Sequence, residues 1–434
     1  MTPLLKLGYR STRMDKNFPI LESFYKLDPP SRPLFGSGGP LAIDLFAGAG
    51  GISLGLVNAG FDVIFASDIS TSCAATYTRN FPGIEFHCGD IRELQGRAIL
   101  HRFCLARGEL DLLIGGPPCQ GFSILGQRKL SDPRNHLFAE FLRVVGEVLP
   151  KVVVIENVPG LATMHKGILL QQIGGCFRDL GYTAECAELL AAQYGVPQMR
   201  WRMFFVAVRS DIGRRARFPT PSHGNAGIGD LVPNRTITSH ESAGFLTVRD
   251  AIGDLPPVRS GEVEVYYDRP PQGPFQRAMR KHSRNVVYNH YAPKLSSVNL
   301  ARIQCLRPGD DWRDLPQHLL PAGMQRALRK DHTRRFRRMT WDGIARSIIT
   351  RFRDPKSGEY IHPDQARTIS IREASRIQSF PDWFIVKGTY TDQYDQVGNA
   401  VPPLLAKAVA TEIRNLLAGG EAEVAVKSRY KIPA

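Results

Sequence analysis

Asp111-Leu112-Leu113-Ile114-Gly115-Gly116-Pro117-Pro118-Cys119-Gln120-Gly121-Phe122-Ser123 is the stretch from which the rest of the chain is placed. Its first four residues form an apolar run short enough for a buried parallel strand. Paired glycines and paired prolines then stop that strand and leave Cys119 on the loop beyond it. In an open α/β sheet, ligands bind past the carboxyl ends of strands, so Cys119 stands where chemistry takes place. A lone cysteine is more often a buried structural residue. The neighbouring stretches argue otherwise here.

Apolar runs of similar length flank it. Leu41 to Phe46 reads as a first strand, followed by glycines and a helix from about Gly51 to Gly60. Asp62 to Ala66 reads as a second strand, with Ser70 capping the next helix, and Glu85 to Cys88 as a third. After Asp111 to Ile114 comes a helix around Leu137 to Leu149, then Val152 to Ile155 ending at Glu156-Asn157. Glu185 to Ala191 and Arg202 to Arg209 supply two further strands. This alternation predicts an α/β fold, a doubly wound, mostly parallel, Rossmann-like sheet. Beyond Arg217 prolines, glycines and isolated aromatics become frequent and periodicity fades. The expected organisation is an extension and linker over 1–40 and a catalytic and cofactor-binding domain over 41–217. A second, irregular domain follows over 218–366, and a segment over 367–434 returns to the first domain through helices at Arg372 to Phe380 and Pro402 to Leu417.

The 434 residues are ordinary in their 43% apolar and 22% charged content, but not in a formal charge of +15. Such a balance points to a polyanionic partner, nucleic acid above all. The densest charge run, Arg326 to Arg338, makes Arg334, Arg335, Arg337 and Arg338 candidates for a phosphate-contacting surface. Seven cysteines without a C-x-x-C pair exclude a disulfide framework and a zinc site, so no metal is expected and the thiols read as reduced and cytosolic. No apolar run approaches the roughly 18 residues of a membrane span. The expected location is the cytoplasm, on nucleoid DNA.

Asp44-Leu45-Phe46-Ala47-Gly48-Ala49-Gly50-Gly51 is a strand entering glycines and then a helix, a geometry that brings a ligand to backbone N–H groups. Its spacing departs from the dinucleotide fingerprint, because Ser53 stands where the third glycine belongs. Asp68 at the end of strand two is suited to ribose hydroxyls, and Asp90 after strand three to an exocyclic amine. Phe46 would face the adenine or a sulfonium. Together they describe a pocket for an adenosine lacking phosphates, which S-adenosylmethionine offers.

These stretches resemble, in order, the blocks of the C5-cytosine DNA methyltransferases of the bacterial modification type. The matching blocks are Asp44 to Gly51, Asp68, Gly89-Asp90-Ile91, Gly115 to Ser123, His136-Leu137-Phe138, Glu156-Asn157-Val158, Gln198 to Arg202, Arg372 to Asp382 and Gln396 to Pro403. The resemblance implies a nucleophile at Cys119, a contact to cytosine N3 from Glu156, and Arg200 and Arg202 steadying the flipped base and the active-site loop. It implies an S-adenosylmethionine pocket lined by Phe46, Gly48, Gly50, Asp68, Ile69, Asp90, Ile91, Pro118, Leu137, Asn399 and Val401. It places target recognition in the irregular domain, with Gln120, Ser123 and Leu125 meeting DNA beside the nucleophile. The C-terminal helix would pack back on the first sheet layers and set Asn399 beside the Asp44 to Gly51 loop.

Two positions depart from the family. Asp68 is one methylene shorter than the usual glutamate, and Leu125 is apolar where relatives carry small polar residues, which suits a wedge filling the stack after flipping. A tRNA methyltransferase on the same core is the alternative, as is a silent DNA-binding relative. Gly121-Phe122-Ser123 and the large irregular domain favour DNA, and the presence of Cys119, Glu156 and Arg202 favours catalysis. The expected partner is double-stranded DNA, bound by a monomer that acts separately from any cognate restriction endonuclease.

Overall fold

The computed structural model describes residues 38–118, 136–163, 168–224, 243–325 and 334–419. Its strands, in chain order, are β1 (Leu41–Leu45), β2 (Asp62–Asp68), β3 (Glu85–Cys88), β4 (Leu112–Gly115), β5 (Val152–Asn157), β6 (Tyr182–Leu190), β7 (Gln198–Met199), β8 (Trp201–Arg209) and β9 (Ala345–Arg346). Seven of them form one sheet in the order β3-β2-β1-β4-β5-β8-β6, while β7 and β9 pair separately. Neighbours from β3 to β5 run parallel, and β8 lies antiparallel to both β5 and β6. The expected doubly wound, mostly parallel sheet is present.

The helices between and after these strands are α1 (Gly51–Asn58), α2 (Thr71–Asn80), α3 (Gly96–Arg102), α4 (His136–Val148), α5 (Gly160–Thr163) and α6 (Ile168–Asp179). Further on come α7 (Val248–Ile252), α8 (Pro274–Arg280), α9 (Ser297–Gln304), α10 (Ile371–Ile377), α11 (Tyr390–Asn399) and α12 (Pro403–Ala418). None of the described helices is long and apolar enough to cross a membrane.

The central strands read as unbroken apolar runs because both faces are covered. Ala42, Leu112, Ile114, Val152 and Val154 join the core that contains Leu405, Val409 and Ile413 of α12. Ile43, Leu113, Val153 and Ile155, pointing the other way, join the core that contains Phe141 and Val145 of α4 and Ile173 of α6. Helices α1 and α12 meet at glycines: a Cβ on Gly51 would stand 2.3 Å from the Val401 oxygen, and one on Gly55 2.4 Å from the Ala406 Cβ. The helix Pro403–Ala418 thus packs on the first of the described helices.

The region between β8 and α10 is held by short helices and isolated bridges, as its weak periodicity predicts. Val248, Phe275, Val287 and Ile348 continue the apolar core of the sheet into it. Buried ion pairs fasten it to α10: Arg376 contacts Asp254 at 2.9 Å and also binds Asp382, and Arg367 holds Glu373 at 2.6 Å. Removing one partner of such a pair would leave an uncompensated charge, so each fixes the arrangement of its neighbours.

Candidate active site

The order of the sheet reverses between β1 and β4, whose ends are level where Leu45 pairs with Gly115. Ligands bind at such a reversal, outside the carboxyl ends. The loop leaving β1 turns through left-handed backbone at Phe46 (φ 57°), Gly48 (φ 54°) and Gly50 (φ 94°). Among the described residues, the chain neighbours of Gly48 aside, no atom lies within 4 Å of where a Cβ on Gly48 would sit, so the loop leaves open space there. Asp68, at the end of β2, orders this turn: one oxygen accepts from Gly48 N and the other from Ser70 N, each at 2.9 Å.

Under the loop lies a buried polar chain. Tyr77 Oη donates to Ser53 Oγ at 2.7 Å, and Ser53 Oγ donates to Asp44 Oδ2 at 2.6 Å. Burial pushes the Asp44 carboxyl up to about 7, against the lowering effect of Ser53. Asp44 Oδ1 is buried and, among the described residues, has no hydrogen-bond partner. Ser53, which breaks the dinucleotide fingerprint, is there to hold this acid; a glycine could not.

Asp90 follows β3 and caps the turn Ile91–Glu93. Its carboxylate is engaged by Arg92, with Nε 3.0 Å from each oxygen, Nη2 2.5 Å from Oδ2 and the backbone N 2.9 Å from Oδ1. Ile69 is 69% exposed beside Asp68, an unusual condition for a large apolar side chain. Pro118 and Asn399 are exposed, Leu137 is half-buried, and Ile91 and Val401 are buried. The close approach of Gly51 to the Val401 oxygen brings the Asn399 to Val401 segment beside the β1 loop. An open glycine turn, carboxylates at two strand ends and an exposed apolar side chain between them suit a nucleoside.

The second half of the site is built by β5 and β8. Glu156 pairs with Phe204 and Asn157 with Met203, so Arg202, two residues from Phe204, shares a face with Glu156. Arg202 Nε lies 2.7 Å from Glu156 Oε1, both side chains being 12% exposed. Burial raises the Glu156 acid above its ordinary value even though Arg202 and Arg200 pull it down. A Cβ on Gly116 would come within 3.3 Å of Glu156 Oε2, so a glycine there leaves the carboxyl group its room. Asn157 Nδ2 donates to the Pro117 oxygen at 3.0 Å and ties the end of β5 to the loop that leads to Cys119.

Arg200, expected to steady the flipped base and the active-site loop, is 1% exposed. Nη1 donates to Ser347 Oγ at 3.0 Å and to the Ile348 oxygen at 2.6 Å. Nη2 donates to the oxygens of Gly398 at 2.9 Å and Ala400 at 3.0 Å. These acceptors converge where the β9 segment meets the end of α11, and they hold the guanidinium inside. Arg338, a candidate for the phosphate-contacting surface, is turned inward in the same way. Nη1 donates to the His362, Pro363 and Gln365 oxygens and Nη2 to Ile303 O, so the side chain is buried and closed to phosphate. Arg334 is exposed, and Arg335 and Arg337 are partly so.

Cys119, Gln120, Ser123 and Leu125 lie outside the described residues. Asn157, Tyr77 and Arg92 were not singled out from sequence. Asn157 adjoins Glu156 in a quoted block, which was a usable signal, whereas the other two carried none.

The sequence model of the family described as C-5 cytosine-specific DNA methylase matches residues 41–415. The Type II methyltransferase M.AgeI of Thalassovita gelatinovora is 33% identical over 86% of this chain and 98% of its own length. The Type II methyltransferase M1.HphI of Haemophilus parahaemolyticus is 35% identical over 86% of each chain. A crystal structure described as a DNA modification methyltransferase encoded within an Escherichia coli prophage superposes with a TM-score of 0.65, at 26% identity, over 88% of this chain and all of that one.

Proposed function

The chain belongs to the C-5 cytosine-specific DNA methylase family and is a DNA (cytosine-5)-methyltransferase, and we propose that it carries a methyl group from S-adenosylmethionine to a cytosine drawn out of duplex DNA. The observation that carries this reading is the buried Glu156 acid, paired with Arg202 and next to Asn157, which is bonded to Pro117, two residues before Cys119 in the sequence. Phe46, Asp68, Ile69, Asp90 and Asn399 would hold the cofactor around the open turn at Gly48. When bound, it supplies an electrophilic methyl group.

C5 of cytosine is a poor nucleophile. The Cys119 thiolate adds to C6, forming a C–S bond and making C5 enamine-like; a thiol of ordinary pKa about 8.5 must first lose its proton. Glu156, whose protonated form burial favours, donates to N3 and relieves the charge that addition leaves on the ring. Arg202 holds the Glu156 carboxyl in place. After C5 is methylated, the C5 proton leaves to water, the C–S bond breaks and 5-methylcytosine is released. Inside the helix C6 is stacked and unreachable, so the base must be flipped at a cost of a few kcal/mol. Phosphate contacts from the basic 218–366 region offset that cost and make binding fall with salt.

The Type II relatives support a modification role; the further reading is a monomer that acts on a defined sequence in the cytoplasm, separately from any cognate endonuclease. Bisulfite sequencing of DNA from cells expressing the protein tests the base and its context together. Trapping on 5-fluorocytosine DNA tests the covalent step, because fluorine at C5 blocks elimination and leaves the adduct on Cys119. Unmodified DNA in the first assay and efficient methylation of tRNA instead of duplex would overturn the reading.

A further inference from the structure

Arg346 sits where the irregular region touches the catalytic arm. Its strand β9 pairs in parallel with β7, Met199 opposite Arg346, immediately before Arg200 and Arg202. The backbone beyond it is clamped: Ile348 N donates to Gln198 Oε1 at 2.8 Å, Arg200 Nη1 to Ile348 O at 2.6 Å, and Tyr360 Oη to Ser347 O at 2.8 Å. Arg346 is thus carried on a rigid support close in the fold to Arg202, which would act beside the base.

Its side chain is differently placed. Arg346 Nε lies 3.8 Å from Glu359 Oε2, and Arg337 Nε lies 3.3 Å from the same oxygen. These are longer than the 2.5 and 2.9 Å of the hydrogen-bonded side-chain pair between Arg313 and Asp311 nearby. Glu359 is 13% exposed, whereas Arg337 and Arg346 keep 35% and 27% of their side-chain surface. Among the described residues neither guanidinium makes a side-chain hydrogen bond. Arg334 adds its charge to the same cluster. Arg337 Nη1 also lies 3.7 Å from Asp311 Oδ2. Glu359 and Asp311 together therefore face Arg313, Arg334, Arg337 and Arg346, do not saturate the donors of Arg337 and Arg346, and leave the cluster positive. Arg338, next in sequence to Arg337, is held differently: the four donations from its Nη1 and Nη2 all end on carbonyls.

We propose that Arg346 and Arg337 contact the target DNA through a pair of acceptors beside the flipped cytosine, and that Glu359 is the positioning residue that aims them. The proposal rests on the DNA reading above. The shared chemistry is a pair of adjacent acceptor atoms that an arginine fork can bridge, offered by a backbone phosphate or by the O6 and N7 of a guanine.

The test measures anisotropy of two labelled duplexes, one with the methylated sequence found by bisulfite mapping and one scrambled, over a range of salt. Arg346→Ala is expected to weaken binding to the mapped duplex about tenfold or more. If the acceptors are phosphate oxygens, both duplexes lose equally, the slope of log K against log salt becomes shallower by about 0.9, and Arg346→Lys recovers binding. If they belong to guanine, the loss is confined to the mapped duplex and lysine does not restore it. Glu359→Gln is expected to tighten binding to the scrambled duplex and narrow the ratio between the two; a merely structural Glu359 would lower the thermal midpoint and leave that ratio alone. Should Arg346→Ala be unstable, Arg346→Gln and Arg337→Ala are read on the same axes. Folded variants with wild-type affinity and wild-type salt slope on both duplexes would overturn the proposal. A wild-type protein that does not methylate duplex DNA would instead overturn the functional reading, before any variant is compared.

Discussion

The guanidinium of Arg200 donates to the carbonyl oxygen of Gly398 at 2.9 Å, and a Cβ at position 398 would stand 2.4 Å from the amide nitrogen of Thr350. Three distant segments meet at this point and one side chain holds them. Arg200→Ala would leave buried carbonyls without donors, at about 1–3 kcal/mol each. The expected loss of stability is on the order of 3 kcal/mol in urea denaturation, with activity falling alongside it. Lost activity with an unchanged urea midpoint would show that Arg200 acts on the base instead.

Glu156 and Arg202 set a pH dependence whose sign follows from their contact. On the proposed mechanism the donor to N3 is the protonated acid, so transfer should be fastest below the folded pKa of Glu156 and be lost as pH rises through it. Burial raises that pKa and Arg202 lowers it. Arg202→Met removes the lowering charge, so the alkaline limb of the single-turnover rate should move to higher pH even as the rate itself falls. A limb that moves to lower pH would contradict the assignment of Glu156 as the proton donor.

Asp44 links stability to pH in a measurable way. Its carboxyl rises from 3.8 to about 7 on folding, through burial. An acid with a raised folded pKa contributes stability that is full below its unfolded value and is lost as pH climbs to its folded one. Between those limits this group should remove roughly 1.4 kcal/mol of unfolding free energy per pH unit. Asp44→Asn, which keeps an acceptor for Ser53, should flatten urea midpoints measured across that interval. Parallel curves for the two proteins would refute the buried, protonated acid.

Asp90 has no acceptor position to spare while Arg92 stays on it. A carboxylate offers about four lone-pair sites, and Arg92 donates to them through its backbone N, Nε and Nη2. An exocyclic amine must displace the Arg92 side chain, which is 64% exposed and free to swing away. Arg92→Ala is therefore expected to tighten S-adenosylmethionine binding several-fold by calorimetry. Weaker binding in the variant would mean that Arg92 supports the ligand and does not compete with it.

What was legible in the sequence follows the physics of burial. β1, β4 and β5 are covered on both faces, so their apolar runs stand out from the chain. The direction of β8 was not legible, since an apolar run looks the same whichever way the strand is laid. Arg337 and Arg338 lie side by side in one charge run, yet one borders solvent and the other is surrounded by carbonyls, a distinction that only tertiary structure makes. Ser53 was visible as a missing glycine, but its bond to Asp44 depends on how α1 sits on the loop. β7 and β9 are two residues long, too short for any periodicity, although they place Arg346.

The glycine-lined face of α1 has a further consequence for how the protein is made. Its partner α12 lies at the far end of the chain, and Arg414 reaches back to the Ala59 oxygen across 355 residues. At synthesis rates of about 5–20 residues per second, α1 waits on the order of tens of seconds for that partner to leave the ribosome. During this interval the apolar strip meant for Leu405, Val409 and Ile413 faces solvent. Folding dominated by so distant a contact is slow. A chain truncated before α12 should accordingly associate with chaperones or aggregate, even though every strand of its main sheet has been synthesised.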